Sequence, residues 1–525
     1  MESYLSTHIA SNSYPKDIVD SIVDYSKTLD NMKLARIVSK LNEGNTTDIY
    51  TGLILMRMIA NENPEMLSTL GDRYYSGNCV RKDEQKALRL FEEAANNGSV
   101  RSKYDLAWYY YDRKEYMRAA EYFKACIDVQ NDLEPYMVGK SYACLGNCYV
   151  SISEPKYSQG FEYLSIAADK YHDNFACRKL GFLYSEAESN YFNAGKSVQY
   201  LERASKNGDV IAARELGSYY LFGNESLGIS KNGQKAESVL LPYKDSEDAD
   251  LLRYLGILYL NGDKNSNFSE NIEKACTFYE KARNLSNDGR IAADLGYAYY
   301  KLNRYKDAEE LLLIADGSGY CYYSDFLGRM YKDGDLGYKD LSKALTYYEK
   351  AFSSDCINNV FTCAEYSELL VELGNFQKAY EVAEFGEKTY NDIWFIYIKA
   401  DLLLSQRVRN EISLDEAAEM MELCIKYDTH SAEAHMALGH YYLDTRNYRM
   451  AEKHYLDAFN LGVADAGVFL GRLYENGGGT INPNSNMAYE WFVKAANKGS
   501  ALGNQEVQCW KKGLLGGYRR IRRPV

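Results

Sequence analysis

Small, apolar and aromatic positions recur along this chain in one repeated phrase. It first reads Leu70-Gly71-Asp72-Arg73-Tyr74, then Lys86-Ala87, Phe91 and Ala94. With Gly71 as anchor, the phrase returns at Ala107, Gly146, Gly181, Gly217, Gly256, Gly296, Gly328, Ser367, Ala400, Gly439 and Gly471. The anchors stand 32 to 40 residues apart, so the chain is a repeat array whose units must stack to bury their apolar faces. Leu precedes the anchor in ten of the twelve units, and Tyr lies three residues after it in ten. Residues four apart share a helix face. The phrase therefore predicts a helix A with a small residue at its centre, where another helix comes close. A second phrase predicts helix B. It pairs small residues seven apart, as in Ala87/Ala94, Ala275/Ala282 and Ala451/Ala458, often with an aromatic residue between them (Phe91, Tyr279, Tyr455).

The segment from anchor to helix B varies in length. It is short after Ala107, Gly296, Ser367 and Gly439, and longer elsewhere. The long turns are rich in Gly, Asn and Asp, as in Ser76-Gly77-Asn78 and Asp333-Gly334-Asp335. Such residues tolerate positive backbone angles and end helices. The long-turn units, typified by Leu70-Gly71, Tyr74, Gly77, Lys86-Ala87, Phe91, Ala94-Ala95 and Gly98, resemble Sel-one-like repeats. The short-turn units, typified by Leu438-Gly439, Tyr442, Tyr448, Ala451, Tyr455 and Ala458, resemble their relatives, the tetratricopeptide (TPR) repeats. The units at Ser367 and Ala400 depart most from the pattern. The resemblance implies an all-α fold: a right-handed α-solenoid, or superhelix, of about twelve helix-turn-helix repeats.

Three segments follow. Residues 1–60 lack the phrase but carry apolar residues at helical spacing, such as Ile18, Ile22, Leu34, Ile37 and Leu41. They read as an N-terminal helical cap or a degenerate thirteenth repeat. Residues 61–500 are the array, with no Ser-, Pro- or Gly-rich linker inside it. Residues 501–525 comprise a closing helix over 501–512 and a basic tail.

Charge narrows the classes of partner. The chain of 525 residues has a net charge of −13. Residues 507–525 hold Lys511, Lys512, Arg519, Arg520, Arg522 and Arg523 and no acid; removing that +6 leaves −19 on residues 1–506. An acidic body argues against general binding of nucleic acid or anionic membrane. The tail, with Arg519, Arg520, Arg522 and Arg523, is expected to dock on its own body, to reach an acidic surface, or to be a solubilising end. Met1–Asp17 has no basic and apolar leader pattern, and the apolar runs are too short to span a membrane. The expected location is cytoplasmic.

Candidate chemistry is sparse. The eleven cysteines form no Cys-x-x-Cys pair and do not follow the repeat period. Secreted proteins of the resembled family are stapled by regularly spaced cysteines, so reduced thiols are expected here. Cys126 and Cys424 take the small position of helix B, where packing explains them. His430, His435 and His440 are five apart and cannot converge on one ion from one face, whereas His440 and His454 lie on the two helices of one unit, where they can meet. Neither a phosphate-binding Gly-rich loop after a strand nor an acid/base couple stands out. No cofactor, no metal site and no catalysis are expected.

In TPR-type solenoids, helix A residues one and four positions beyond the anchor line the concave groove. The resemblance carries that role to Trp108 and Tyr111, Phe182, Ile257, and Tyr297 and Tyr300. Tyr104 shares a stripe with Trp108 and Tyr111 by spacing. Two readings stand: an accessible aromatic face that anchors a partner, or side chains buried by winding against the next helix A. The resemblance implies a non-catalytic scaffold or adaptor that holds a peptide segment or protein partner. A second reading is a regulatory sensor whose superhelix responds to a small peptide or ligand.

Overall fold

The computed structural model describes residues 64–522, apart from 79, 187–188, 321, 354–358, 429 and 514–516. The N-terminal segment 1–60 lies outside the described residues. The described residues fold as an α-solenoid of helix-turn-helix repeats, and each anchor of the sequence phrase falls in the first helix of one pair.

The chain divides into two compact units, at Leu285 and Ser286. In the first, six pairs follow in order: α1 (Glu65–Ser76) with α2 (Glu84–Asn96), α3 (Val100–Asp112) with α4 (Tyr116–Asp128), α5 (Pro135–Ser151) with α6 (Tyr157–Tyr171), α7 (Asn174–Ser185) with α8 (Ala194–Lys206), α9 (Val210–Phe222) with α10 (Gly233–Leu240), and α11 (Ala249–Asn261) with α12 (Ile272–Leu285). The second unit has six more: α13 (Gly289–Lys301) with α14 (Tyr305–Gly317), α15 (Ser324–Asp333) with α16 (Leu341–Ser353), α17 (Val360–Glu372) with α18 (Phe376–Tyr390), α19 (Ile393–Leu404) with α20 (Leu414–Lys426), α21 (Ser431–Asp444) with α22 (Tyr448–Asn460), and α23 (Ala466–Asn476) with α24 (Ser485–Asn497).

Each pair closes by a side chain filling the hole left by the anchor. A Cβ placed on Gly71 would stand 2.6 Å from the Phe91 ring, one on Gly256 2.4 Å from Tyr279, and one on Gly471 2.5 Å from Phe492. Those rings are the bulky residues between the two small positions of helix B. The small positions themselves, among them Ala87, Ala94, Ala275, Ala282, Ala451 and Ala458, are fully buried. At Gly71, Gly256, Gly328, Gly439 and Gly471 helix A thus takes a ring from helix B, at Gly146, Gly181, Gly217 and Gly296 a Leu, and the small stripe of helix B lets the two backbones approach.

The repeated Tyr explains how turns of different length connect the same two helices. In all ten units that carry it, its carbonyl accepts a hydrogen bond from the backbone N–H of the residue that opens helix B. The short turn does this from Glu115 to Tyr110 at 2.9 Å, and the long one from Asn484 to Tyr474 at 2.7 Å. Turn residues are therefore added or removed without moving either end. Gly77 and Gly334 end their helices with φ of 74° and 84°, the left-handed region that a side chain disfavours. A basic residue at the start of the same helix B lies over the Tyr ring, as with Lys274 and Tyr259 at 3.9 Å and Arg304 and Tyr299 at 3.8 Å. In three units the phenol reaches back and donates to a Glu of the preceding helix B: Tyr259 to Glu237, Tyr331 to Glu309, and Tyr474 to Glu452. One residue type thus closes a turn, carries a cation and ties consecutive repeats.

The end of the array differs from an all-helical reading. The closing helix α25 (Ala501–Val507) stops at Val507, and a hairpin follows, with β1 (Trp510–Lys512) antiparallel to β2 (Tyr518–Arg520). Glu506, near the end of this helix, is 1% exposed. Arg472 and Arg520 both donate to its carboxylate, at 3.0 and 2.8 Å.

The cysteines among the described residues are core residues. Cys126, Cys144, Cys148, Cys177, Cys363, Cys424 and Cys509 are buried and form no disulfide. Burial pushes Cys126 up to about 12 and Cys424 up to about 11, so neither is a ready nucleophile.

Candidate partner-binding face

The residues singled out on helix A fall into three surroundings. Tyr104, Trp108 and Tyr111 of α3 lie together, each half-buried. Their rings meet edge to face, Tyr104 with Trp108 at 6.1 Å and Trp108 with Tyr111 at 5.4 Å. All three also pack edge to face on Phe123 of α4, a fully buried side chain at the centre of the cluster, with Trp108 at 5.8 Å. The opposite stripe of α3, Leu106 and Tyr110, is buried in the core as its spacing predicts. The trio is a stiff aromatic ledge, seated on its own helix B and partly open on the other side.

Polar partners hold this ledge in register with its neighbours. The Asn147 side chain of α5 donates to the Tyr111 oxygen at 2.8 Å, while its own carbonyl oxygen is buried without a partner. Burial pushes the Tyr104 phenol up to about 12. Asp105, next to Tyr104 in sequence, turns toward α1, where Ser68 donates to it at 2.7 Å. Burial, reinforced by the Asp72 charge, pushes the Asp105 carboxyl up to about 7 despite that bond. No spacing rule singles out Asp105, because its environment comes from the preceding repeat.

Tyr297 and Tyr300 do not repeat this arrangement. They pack on the following helix A: Tyr297 against Tyr323 at 4.8 Å and Phe326 at 4.7 Å, and Tyr300 against Phe326 at 4.9 Å. Both remain half-buried. Here the winding of successive helices claims much of the aromatic surface. Phe182 of α7 and Ile257 of α11 sit apart from the trio, each half-buried on the apolar core of the first unit.

Other positions of the same stripe serve neighbouring repeats. Arg329 makes a two-pronged bond to Glu365 of the next helix A, with nitrogen–oxygen distances of 2.8 to 3.0 Å, and Asp72 pairs with Arg101 at 3.2 Å. Arg472 serves Glu506, as described above. The histidine reading needs correcting too. His454 meets His435, not His440, with Nδ1 atoms 2.9 Å apart. His440 instead bonds the Tyr455 hydroxyl at 2.8 Å. Position 440 points along α21 to the ring that fills its own anchor hole, whereas 435 lies over the second turn of α22. Among the described residues no group of three or more His, Cys, Asp or Glu side chains is placed to hold a metal ion, and no helix is long and apolar enough to cross a membrane.

The Sel1 repeat family model matches eight stretches: residues 66–99, 151–172, 174–209, 210–237, 249–287, 325–356, 432–463 and 464–500. The chain is a Sel1-repeat protein. Five anchors lie outside these stretches, Ala107, Gly146, Gly296, Ser367 and Ala400, and three of the five open short turns of the TPR-like kind. Among solved structures, this Sel1-repeat protein is similar to a protective antigen present in uropathogenic Escherichia coli strains that displays an SLR fold, at 18% identity and a TM-score of 0.59, over 87% of this chain and 89% of that one. A Sel1 repeat protein from Oxalobacter formigenes matches at 20% identity and a TM-score of 0.33, over 54% of this chain and 99% of that one. Yeast Tom70 matches at 13% identity and a TM-score of 0.26, over 86% and 99% of the two chains. The first of these likenesses is one of fold. No curated protein matches the sequence.

Proposed function

We propose that this Sel1-repeat protein is a non-catalytic cytoplasmic scaffold or adaptor, and that it holds a peptide segment or protein partner on the helix A face of its first unit. Sel1 and TPR-like repeats typically mediate protein–protein interaction. The observation that supports the site is the ledge of Tyr104, Trp108 and Tyr111, held edge to face on the buried Phe123 and still partly open. Large rings already fixed by packing offer contact area with little further loss of side-chain freedom.

Affinity capture with wild-type and Trp108→Ala protein, compared quantitatively, tests this reading. Most of the Trp108 side chain is covered, so the substitution costs roughly 2–4 kcal/mol of folding stability. A melting curve of the variant, recorded beside the capture, separates lost binding from lost folding. At least one captured protein is expected to weaken by about 2 kcal/mol or more, or roughly thirtyfold. An identical set of partners at identical affinity removes the ledge as the site.

A further inference from the structure

Arg520 turns inward from the terminal hairpin. It pairs with Glu475 at 2.5 Å and Glu506 at 2.8 Å, so this arginine meets an acidic surface of its own chain. The same face of the hairpin is anchored by Trp510 against Phe492 at 5.8 Å and by Tyr518 stacked on Tyr489 at 3.8 Å. Asn486 accepts the Tyr518 backbone N–H at 2.9 Å. The ribbon is thus clamped to the last repeat and is no trailing end.

Its other face is different. Lys511 and Arg519 stand directly opposite each other across the two strands, both exposed; exposed Lys512, which pairs with Tyr518, and exposed Arg522 follow at the strand ends. Among the described residues none of these four side chains has an acidic partner; the pairs that the hairpin makes with the body belong to Arg520. Like charges directly opposite in an antiparallel pair destabilise it. Single lysines on an exposed strand guard against edge-to-edge pairing, but that role does not call for two cations face to face across the ladder. Capping the array does not call for them either, since Arg520, Trp510 and Tyr518 do that from the other side.

We propose that this outward face of the hairpin is a second interaction surface, and that its occupant is a short acidic segment of a protein partner. The clamp fixes the cations before the partner arrives, which lowers the ordering cost of binding. The size of the occupant follows from charge. Residues 1–506 carry −19, and at physiological salt attraction extends only about 8 Å. A run of a few carboxylates can lie on the ribbon alone. A nucleic acid or an anionic membrane extends past it and meets the acidic body.

Fluorescence anisotropy of a labelled hexaglutamate peptide with the full-length chain tests the proposal. Phosphatidylserine vesicles and a single-stranded oligonucleotide serve as competitors. Wild-type protein binds the peptide, and added salt weakens it. Lys511→Gln/Arg519→Gln lowers affinity by about tenfold or more with a melting temperature no lower than wild type, because neither side chain is paired with the body and their mutual repulsion is removed. Trp108→Ala leaves peptide binding unchanged, so this surface and the aromatic ledge stand or fall separately. Equal binding by wild type and the double variant overturns the proposal, as does absence of peptide binding at low salt. Tighter binding to vesicles or oligonucleotide than to the peptide overturns the choice of occupant.

Discussion

Gly256 shows how tightly each helix pair is closed. In an exposed helix interior, Gly→Ala stabilises by about 1 kcal/mol. Here the added Cβ meets three atoms of the Tyr279 ring within 2.7 Å, and Tyr279 is fully buried with nowhere to turn. Gly256→Ala is therefore expected to destabilise, by roughly 1–3 kcal/mol, in chemical denaturation; a stabilised variant would show that the ring is free to move. Charge is just as sensitive to place. His454 is 1% exposed, and burial, with His435 and Lys453 nearby, pulls its pKa down to about 4, against the smaller opposing pull of Asp457. Burial also lowers His435. Glu422, 3.5 Å from the outer His454 nitrogen, is the other charge that faces it. The unfolded chain protonates His454 near its ordinary 6.5, and the folded chain only near 4. Stability is therefore fully present above about pH 6.5 and is lost as pH falls toward 4, by up to about 3 kcal/mol. Melting curves across that window should show His454→Gln less acid-sensitive than wild type. A pH dependence identical to wild type would place the acid sensitivity elsewhere.

The helix pair is the unit in which sequence and structure correspond most closely, because its contacts are local. Anchor, ring and small stripe lie within one repeat. The returning hydrogen bond to the Tyr carbonyl makes the pair indifferent to turn length, which is why Sel1-like and TPR-like turns coexist in one chain. The terminal hairpin has no such repeat logic. Its one inward arginine holds a buried carboxylate, and removing it leaves Glu506 to Arg472 alone. Breaking one side of a buried ion pair costs about 3–5 kcal/mol, so Arg520→Ala is expected to loosen Ala501–Val507 and both strands. Hydrogen exchange should then speed up in those amides and stay unchanged in α1 to α4. Unchanged exchange at Ala501–Val507 would mean that Trp510 and Tyr518 suffice as the clamp.

Across the whole chain, the cysteines test whether the array needs covalent ties. Stacked helix pairs bury the thiols at positions that packing requires, not at positions a staple would use. Thiol titration of unfolded, non-reduced protein is expected to count all eleven; a count well below that would indicate disulfides and an oxidising location. The periodic phrase was enough to place all twelve pairs of the described residues, the anchor holes and the buried small stripe. Each depends on residues that recur at helical spacing inside one unit. The fate of the outward stripe depends on side chains one repeat away. That is why Tyr104, Trp108 and Tyr111 rest on their own helix B while Tyr297 and Tyr300 lie under the next helix A, although their spacings look alike. The same limit applies to His435 with His454, to Asp105 beneath Ser68, and to the tail, whose basic composition gives no sign that Arg520 would face inward and Lys511 outward. Periodicity records which face of a helix is apolar. Which neighbour covers that face is decided only when successive repeats stack.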